Sequence, residues 1–183
     1  MIKWIIVAVL AAVILVISRA SLLKPRSHGF WRFFAWEFIL LLLAVNLDVW
    51  FVDPLSWHQI IAWILLFSAI VPLYFGVRTL TARGKPAANR DGEPQLMAFE
   101  RTNSLVTTGI YHYIRHPLYS SLLLLAWGAF FKLPSILAGV FALAASICLY
   151  FTARADEAEC LIFFGESYRD YMKTTKRFIP FLV

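Results

Sequence analysis

The hydropathy profile constrains this chain before anything else does: five apolar stretches follow one another through 183 residues with almost no charge inside them. They are Trp4 to Ile17, extending towards Leu23; Phe30 to about Val49, which carries Glu37; about Trp57 to Phe75, with Pro72 near its end; Leu118 to Phe131; and Ser135 to Phe151. A helix that crosses a bilayer needs about 20 mainly apolar residues, and the fourth stretch is short by that measure. With 61% of its residues hydrophobic, the chain has too few polar residues to cover its apolar surface as a soluble domain does. The expectation is an all-α integral membrane protein with about five transmembrane helices. Lys132-Leu133-Pro134 leaves room only for a tight turn, so the last two helices form a hairpin. The first stretch lacks a clean small-x-small cleavage site and is followed by Arg19, Lys24 and Arg26, which reads as a retained helix rather than a signal peptide.

Basic residues alternate between the connections. Arg19, Lys24, Arg26 and Arg32 mark the first loop, none marks the second around Asp48 and Asp53, and Arg78, Arg83, Lys85, Arg90, Arg101 and Arg115 mark the third. Arg154, Arg169, Lys173, Lys176 and Arg177 mark the tail. The positive-inside tendency then puts the N-terminus outside and the C-terminus in the cytoplasm, with Lys132 the one exception. A net charge of +6 confined to such loops fits juxtamembrane anchoring and argues against a nucleic-acid partner.

One domain is expected: three N-terminal transmembrane helices in 1–80, a cytoplasmic loop over 81–108, and the hairpin with its tail in 109–183. Gly84-Lys85-Pro86 and Asp91-Gly92-Glu93-Pro94 make the loop irregular. After Phe151 the composition changes, and a cytoplasmic amphipathic tail is expected. Asp156 to Phe164 mixes acids and apolar residues, Gly165 can end that helix at positive φ, and Ser167 to Lys173 forms a second short amphipathic turn. Glu157, Cys160, Leu161, Phe164, Tyr168 and Tyr171 share roughly one stripe if the helix continues. Cys148 and Cys160 read as small packing residues rather than a disulfide framework. His28, His58 and His112 are scattered without metal-ligand spacing, so no metal site is expected.

Three features converge on the expected cytoplasmic face. Thr108 to Tyr119 reads TGIYHYIRHPLY, with Pro117 suited to the first turn of the fourth helix. His116, Tyr119, Leu123 and Trp127 fall at offsets that line one helix face, and Gly109 permits a close backbone approach. Arg and Tyr are also ordinary residues at a membrane boundary. Arg154 with Asp156-Glu157 puts carboxylates where they can pair with Arg115, bond a ribose or balance a sulfonium. Equally, they can be acids at a solvated helix start. Arg177-Phe178-Ile179-Pro180 can fold back under the membrane domain or fray.

Taken in order, these elements resemble the isoprenylcysteine carboxyl methyltransferase family and the wider membrane group that includes phospholipid methyltransferases. The resemblance rests on Gly109-Ile110-Tyr111, Arg115 to Tyr119, Arg154-Ala155-Asp156-Glu157, Phe164 to Tyr171 and Arg177 to Pro180. It covers roughly Thr107 to Pro180, under half the chain. Ile110 stands where the family often has Pro, Asp156 replaces the first of two Glu, and Ser121 stands where Gly is common.

The resemblance implies an enzyme using S-adenosylmethionine, held between the fourth and fifth helices and capped by the tail. Gly109, Tyr111, His116, Pro117, Tyr119 and Glu157 are the cofactor-binding residues it implies, and Arg115, Arg154 and Glu157 the catalytic ones. The acceptor is expected to be lipid-like or prenylated, entering sideways through the bilayer, with carboxyl O-methylation of an isoprenylcysteine-type substrate first. Phospholipid N-methylation and small-thiol S-methylation are the alternatives on the same scaffold. A carboxylate acceptor needs a cation to hold it, for which Arg115 or Arg154 can serve, whereas an amine or thiol must lose a proton, to His116 or Glu157 as base. Trp127 can stack on adenine or pack in the core. A non-catalytic membrane subunit or transporter would show charged or broken helices at mid-membrane depth, and Glu37 is the one such residue.

Overall fold

The computed structural model describes residues 2–84 and 102–180. Six α-helices account for most of them: α1 (Ile2–Leu22), α2 (His28–Asn46), α3 (Trp57–Arg83), α4 (Pro117–Phe130), α5 (Ile136–Phe164) and α6 (Glu166–Thr174). Short 3-10 turns add Leu47–Val49 and Gly109–His112. Among the described residues there is no strand, only one isolated parallel bridge between Ile114 and Lys176. Four helices, α1, α2 with its 3-10 extension, α3 and α5, are long and apolar enough to cross a membrane, while α4 is a shorter apolar helix. The protein is an all-α integral membrane protein.

The helix starts follow local sequence. Ser27 caps α2 by accepting from the Phe30 amide at 3.2 Å, and Ser135 caps α5 by accepting from the Ala138 amide at 3.2 Å. Pro117 opens α4, where its missing N–H costs no hydrogen bond.

Two helices run further than their hydropathy suggests. The third stretch continues as helix through Pro72 to Arg83. Past Phe75 its polar side chains bond within their own helix: Arg78 to the Tyr74 hydroxyl, Thr79 to the Phe75 carbonyl and Thr81 to the Val77 carbonyl. The expected loop over 81–108 therefore begins as helix. Residues 85–101 lie outside the described residues, and Thr102 and Val106 are buried. The fifth stretch likewise does not stop at Phe151, because α5 is unbroken to Phe164, so the acids 156–159 ride on the last turns of a spanning helix rather than on a separate interfacial one. Gly165 then ends it at φ +60 and ψ −133, a backbone region essentially confined to glycine.

The core forms where α5 meets α2. Ala138, Ala142, Ala145, Leu149 and Ala153 are fully buried and recur every three or four residues, facing Ala35, Ile39 and Leu42. Small side chains let helix backbones approach closely where lipid offers no hydrophobic drive between helices. Gly128 does the same between α4 and α3: a Cβ there would lie 2.8 Å from Leu66 Cγ. Apolar side chains left exposed, most of α1 among them, present the surface that lipid covers.

At the hairpin turn, Lys132 is fully buried. Its ammonium donates to Gln59 Oε1 at 2.9 Å and to the Trp50 carbonyl at 3.2 Å, and sits 3.2 Å from the centre of a Trp63 ring. The one basic residue that breaks the charge alternation is thus caged by protein rather than free in a loop.

Candidate active site

At the opposite end from Lys132, the start of α2 and the ends of α3 and α5 meet the start of α4. Gly109 begins the turn before α4 at φ +64, tight against α3, where a Cβ would lie 3.1 Å from Thr79 Oγ1. The chain then pairs with the tail. The amides of Arg115 and His116 donate to the carbonyls of Lys176 and Arg177 at 2.8 and 3.1 Å, and Ser120 Oγ donates to the Phe178 carbonyl at 2.8 Å. Phe178 is buried in the core. The basic-aromatic ending folds back as the sequence allowed.

This segment divides two cavities. One, about 800 Å³ between atoms with its open mouth included, is lined on the α4 side by Tyr111, Arg115, His116, Pro117 and Tyr119. Its opposite walls are His28, Leu80, Thr102, Leu105 and Val106, with Asp156, Glu159, Cys160, Phe164, Tyr168 and Tyr171 from α5 and α6. The other, about 1630 Å³ by the same measure, is almost wholly apolar and lies between α3, α4 and the tail, with Leu65, Pro72, Leu123, Leu124, Trp127 and Phe178 in its wall. The predicted stripe is accordingly split: His116 and Tyr119 face the first cavity, Leu123 and Trp127 the second. Trp127 donates to Ser146 Oγ at 3.2 Å and does not line the polar cavity.

The two acids diverge. Asp156 lines the polar cavity and accepts from the Tyr119 hydroxyl at 3.1 Å, with His116 Nδ1 3.4 Å away. Glu157 does not line it. The residue is 5% exposed, and its carboxylate is enclosed by Arg115, with Nη2 at 2.9 Å, by Arg177, with Nη2 at 2.6 Å and Nε at 3.0 Å, and by His116 Nε2 at 3.4 Å. Arg115 also donates to the carbonyls of Met172 and Thr175. Glu157, expected to touch a cofactor or act in catalysis, is the centre of a clamp holding the tail to α4. Arg154 is exposed and lines neither cavity. Arg177, not Arg154, supplies the second cation of the clamp. Gly109 shapes the turn without lining the cavity.

Sequence reasoning missed His28 and Glu159. The Glu159 carboxylate accepts from the His28 amide at 2.9 Å and contacts Nδ1 at 2.6 Å, a pairing across 131 residues that no local pattern announces. Tyr168 and Tyr171 were on the tail stripe and are buried. Burial pushes both phenols above their ordinary range, so they stay neutral hydroxyls. The Tyr171 hydroxyl donates to the Tyr111 carbonyl at 2.5 Å. Burial alone would lower the His116 pKa, but its contacts with Asp156 and Glu157 outweigh this and raise it. Among the described residues no cluster of His, Cys, Asp or Glu could hold a metal. Glu37 is half-buried on α2, without a hydrogen bond or ion pair to a described residue.

Residues 92–169 match the phospholipid methyltransferase family model. The methanethiol S-methyltransferase of Pseudomonas deceptionensis is 29% identical over 130 residues, 70% of this chain and 43% of that protein. The protein-S-isoprenylcysteine O-methyltransferases of Mus musculus and Homo sapiens are 35% and 34% identical over 83 residues, 44% of this chain and 29% of each relative. The matched stretch thus spans less than half the length of these relatives. No solved structure matches.

Proposed function

We propose that this chain, which belongs to the membrane methyltransferase group that takes in the phospholipid and isoprenylcysteine methyltransferases, transfers a methyl group from S-adenosylmethionine to an apolar or lipid-borne acceptor. The observation that carries the reading is the polar, carboxylate- and tyrosine-lined cavity set against an apolar one across the first turn of α4. Ligand sites commonly show this mix of apolar wall with a few fixed polar groups.

The lining suits the cofactor's chemistry. Asp156 can accept from an ammonium or a ribose hydroxyl, and Tyr111, Tyr119 and Tyr168 can turn ring faces to a sulfonium. When bound, S-adenosylmethionine supplies a methyl group on a sulfonium, already a good leaving group. What remains for the protein is positioning and exclusion of water. Tyr119 holds Asp156 in place, His116 stacks on Tyr119 with ring centres 5.3 Å apart, and the Arg115–Glu157–Arg177 clamp keeps α6 and the tail over the cavity. The apolar cavity suits the acceptor's hydrocarbon part. Arg19 and Arg83 in the last turns of α1 and α3, Lys24 and Arg26 in the connection after α1, and Lys173 and Lys176 in the tail lie at this same end, which favours the cytoplasmic side.

The charge layout favours one class of acceptor. Carboxyl O-methylation needs a cation free to hold the substrate carboxylate. Among the described residues, Arg115 and Arg177 are both engaged by Glu157, Arg154 is outside the cavity, and the acids facing the cavity, Asp156 and Glu159, repel an anion. An uncharged sulfur or nitrogen nucleophile fits better. That the methanethiol enzyme matches over 70% of this chain supports the same choice.

The test is calorimetric titration of the detergent-purified chain with S-adenosylmethionine and S-adenosylhomocysteine, followed by methyl transfer to prenylcysteine, phospholipid and thiol panels. Micromolar binding is expected, weakened about tenfold by Asp156→Asn through loss of a charged acceptor. Absence of binding by a folded sample overturns the reading.

A further inference from the structure

We propose that the Glu159–His28 pair is the proton acceptor of this site, taking the proton of a thiol acceptor as its sulfur is methylated. The proposal rests on the methyl-transfer reading above and deepens it by naming the acceptor's class.

His28 is the first residue of α2, its side chain 1% exposed, yet it forms part of the polar cavity's wall. Glu159 holds it at two points: Oε1 takes the backbone amide at 2.9 Å and Oε2 lies 2.6 Å from Nδ1. An ionised carboxylate only accepts hydrogen bonds, so Nδ1 carries the proton and a neutral ring keeps its lone pair on Nε2. Nε2 makes no hydrogen bond to a described residue. The geometry offers a general base: an imidazole in the cavity wall with one nitrogen fixed by a carboxylate and no described partner on the other.

The surroundings can hold the proton that the ring takes up. Glu159 offsets the charge against the positive end of the α2 dipole. Arg32, one turn along α2, and Asp156 on α5 are the other charged groups that face it. His116 on the α4 side of the cavity is the other imidazole there, but both its ring nitrogens already face carboxylates, Asp156 and Glu157.

A thiol is the matching acceptor. A cysteine-type thiol, at about 8.5, lies within about two units of imidazole, nearer than an alkylammonium at about 10.4, and a carboxylate has no proton to give. In the transfer, the acceptor sulfur bonds to the methyl carbon as the carbon–sulfur bond of the sulfonium breaks. The electron pair of that bond stays on the departing thioether, and the thiol proton passes to Nε2.

Two measurements on the full chain in lipid nanodiscs test this. Nitrogen NMR of the histidine rings reads the tautomer without any cofactor. A neutral His28 ring protonated at Nδ1, shifted towards mixed tautomers by Glu159→Gln, is expected. A ring protonated at Nε2, or one charged throughout pH 6 to 9, overturns the proposal. The second is methyl transfer to a cysteine-type thiol and to the carboxylate of farnesylcysteine. His28→Gln should cut thiol turnover about 100-fold, abolish the acid limb of its pH profile and leave S-adenosylmethionine affinity within about threefold. Equal loss on both acceptors, or loss matched by lost cofactor affinity, overturns the base and leaves the methyltransferase reading standing. A wild-type chain that binds no cofactor and methylates nothing overturns both.

Discussion

Arg177 grips Glu157 with two hydrogen bonds, Nη2 to Oε2 at 2.6 Å and Nε to Oε1 at 3.0 Å, and so ties the tail to the last turns of α5. Arg115 closes on the same carboxylate from the start of α4. One acid therefore joins three pieces of chain at the membrane face, alongside the backbone pairing of α4's start with the tail.

Removing that acid leaves two arginines facing each other. Breaking a buried pair from one side costs about 3 kcal/mol, so Glu157→Ala should unfold well below wild type in detergent. Arg177→Met should cost less, since Arg115 still neutralises Glu157, but should free the tail. Limited proteolysis is expected to cut at Lys176 sooner in both. A Glu157→Ala protein as stable and as resistant as wild type would show the clamp to be idle.

Much of the architecture was legible in the sequence because it follows local rules. Apolar runs set the number of helices, Pro117 set the start of α4, and Gly165 set the end of α5. The site's membership was half legible. Tyr111, Arg115, His116, Pro117 and Tyr119 are neighbours in the chain and reach the cavity together. Asp156 and Glu157 were seen as a pair, but consecutive helical residues point about 100° apart, and the rotation of α5 decides which faces inward. Glu157 lies four residues beyond Ala153 and continues the buried alanine stripe, which sends it into the clamp and turns Asp156 to the cavity. His28 and Glu159 meet only because α2 packs along α5, a long-range relation without local signature.

The pH dependence of stability should carry the signature of His116. Its pKa is raised in the folded protein, so the folded state binds its proton more tightly than the unfolded chain does. That contribution is full below the unfolded value of about 6.5 and is lost as pH rises through the folded value. Melting temperatures of wild type and His116→Gln should therefore differ most near pH 5.5 and converge towards pH 9. A gap that widens with rising pH would contradict the assignment.

Close approach of α3 and α4 depends on Gly128. A methyl group there meets Leu66 Cγ at 2.8 Å and the Leu66 amide nitrogen at 3.2 Å, and the backbone cannot yield as a side-chain tip can. Gly128→Ala should cost about 1–3 kcal/mol through overpacking, and Gly128→Val more. Because α3 and α4 also wall the apolar cavity, acceptor KM should rise while S-adenosylmethionine affinity, read by calorimetry, stays near wild type.

Lys132 gives the sharpest test of the far end. Its ammonium satisfies Gln59 Oε1 and the Trp50 carbonyl and lies against Trp63, so it bonds the hairpin turn to the connection after α2 and to α3. Lys132→Met keeps the length and apolar stem but leaves those two buried acceptors short of a donor, at a cost of about 2 kcal/mol. The ring contact adds about 1 kcal/mol more. The polar cavity lies at the other end of α4, roughly 21 Å away for 14 residues of helix. Lys132→Met should thus melt lower yet bind S-adenosylmethionine as wild type does at temperatures where both are folded. A loss of affinity without a loss of stability would mean that the two ends of the bundle are coupled through α4.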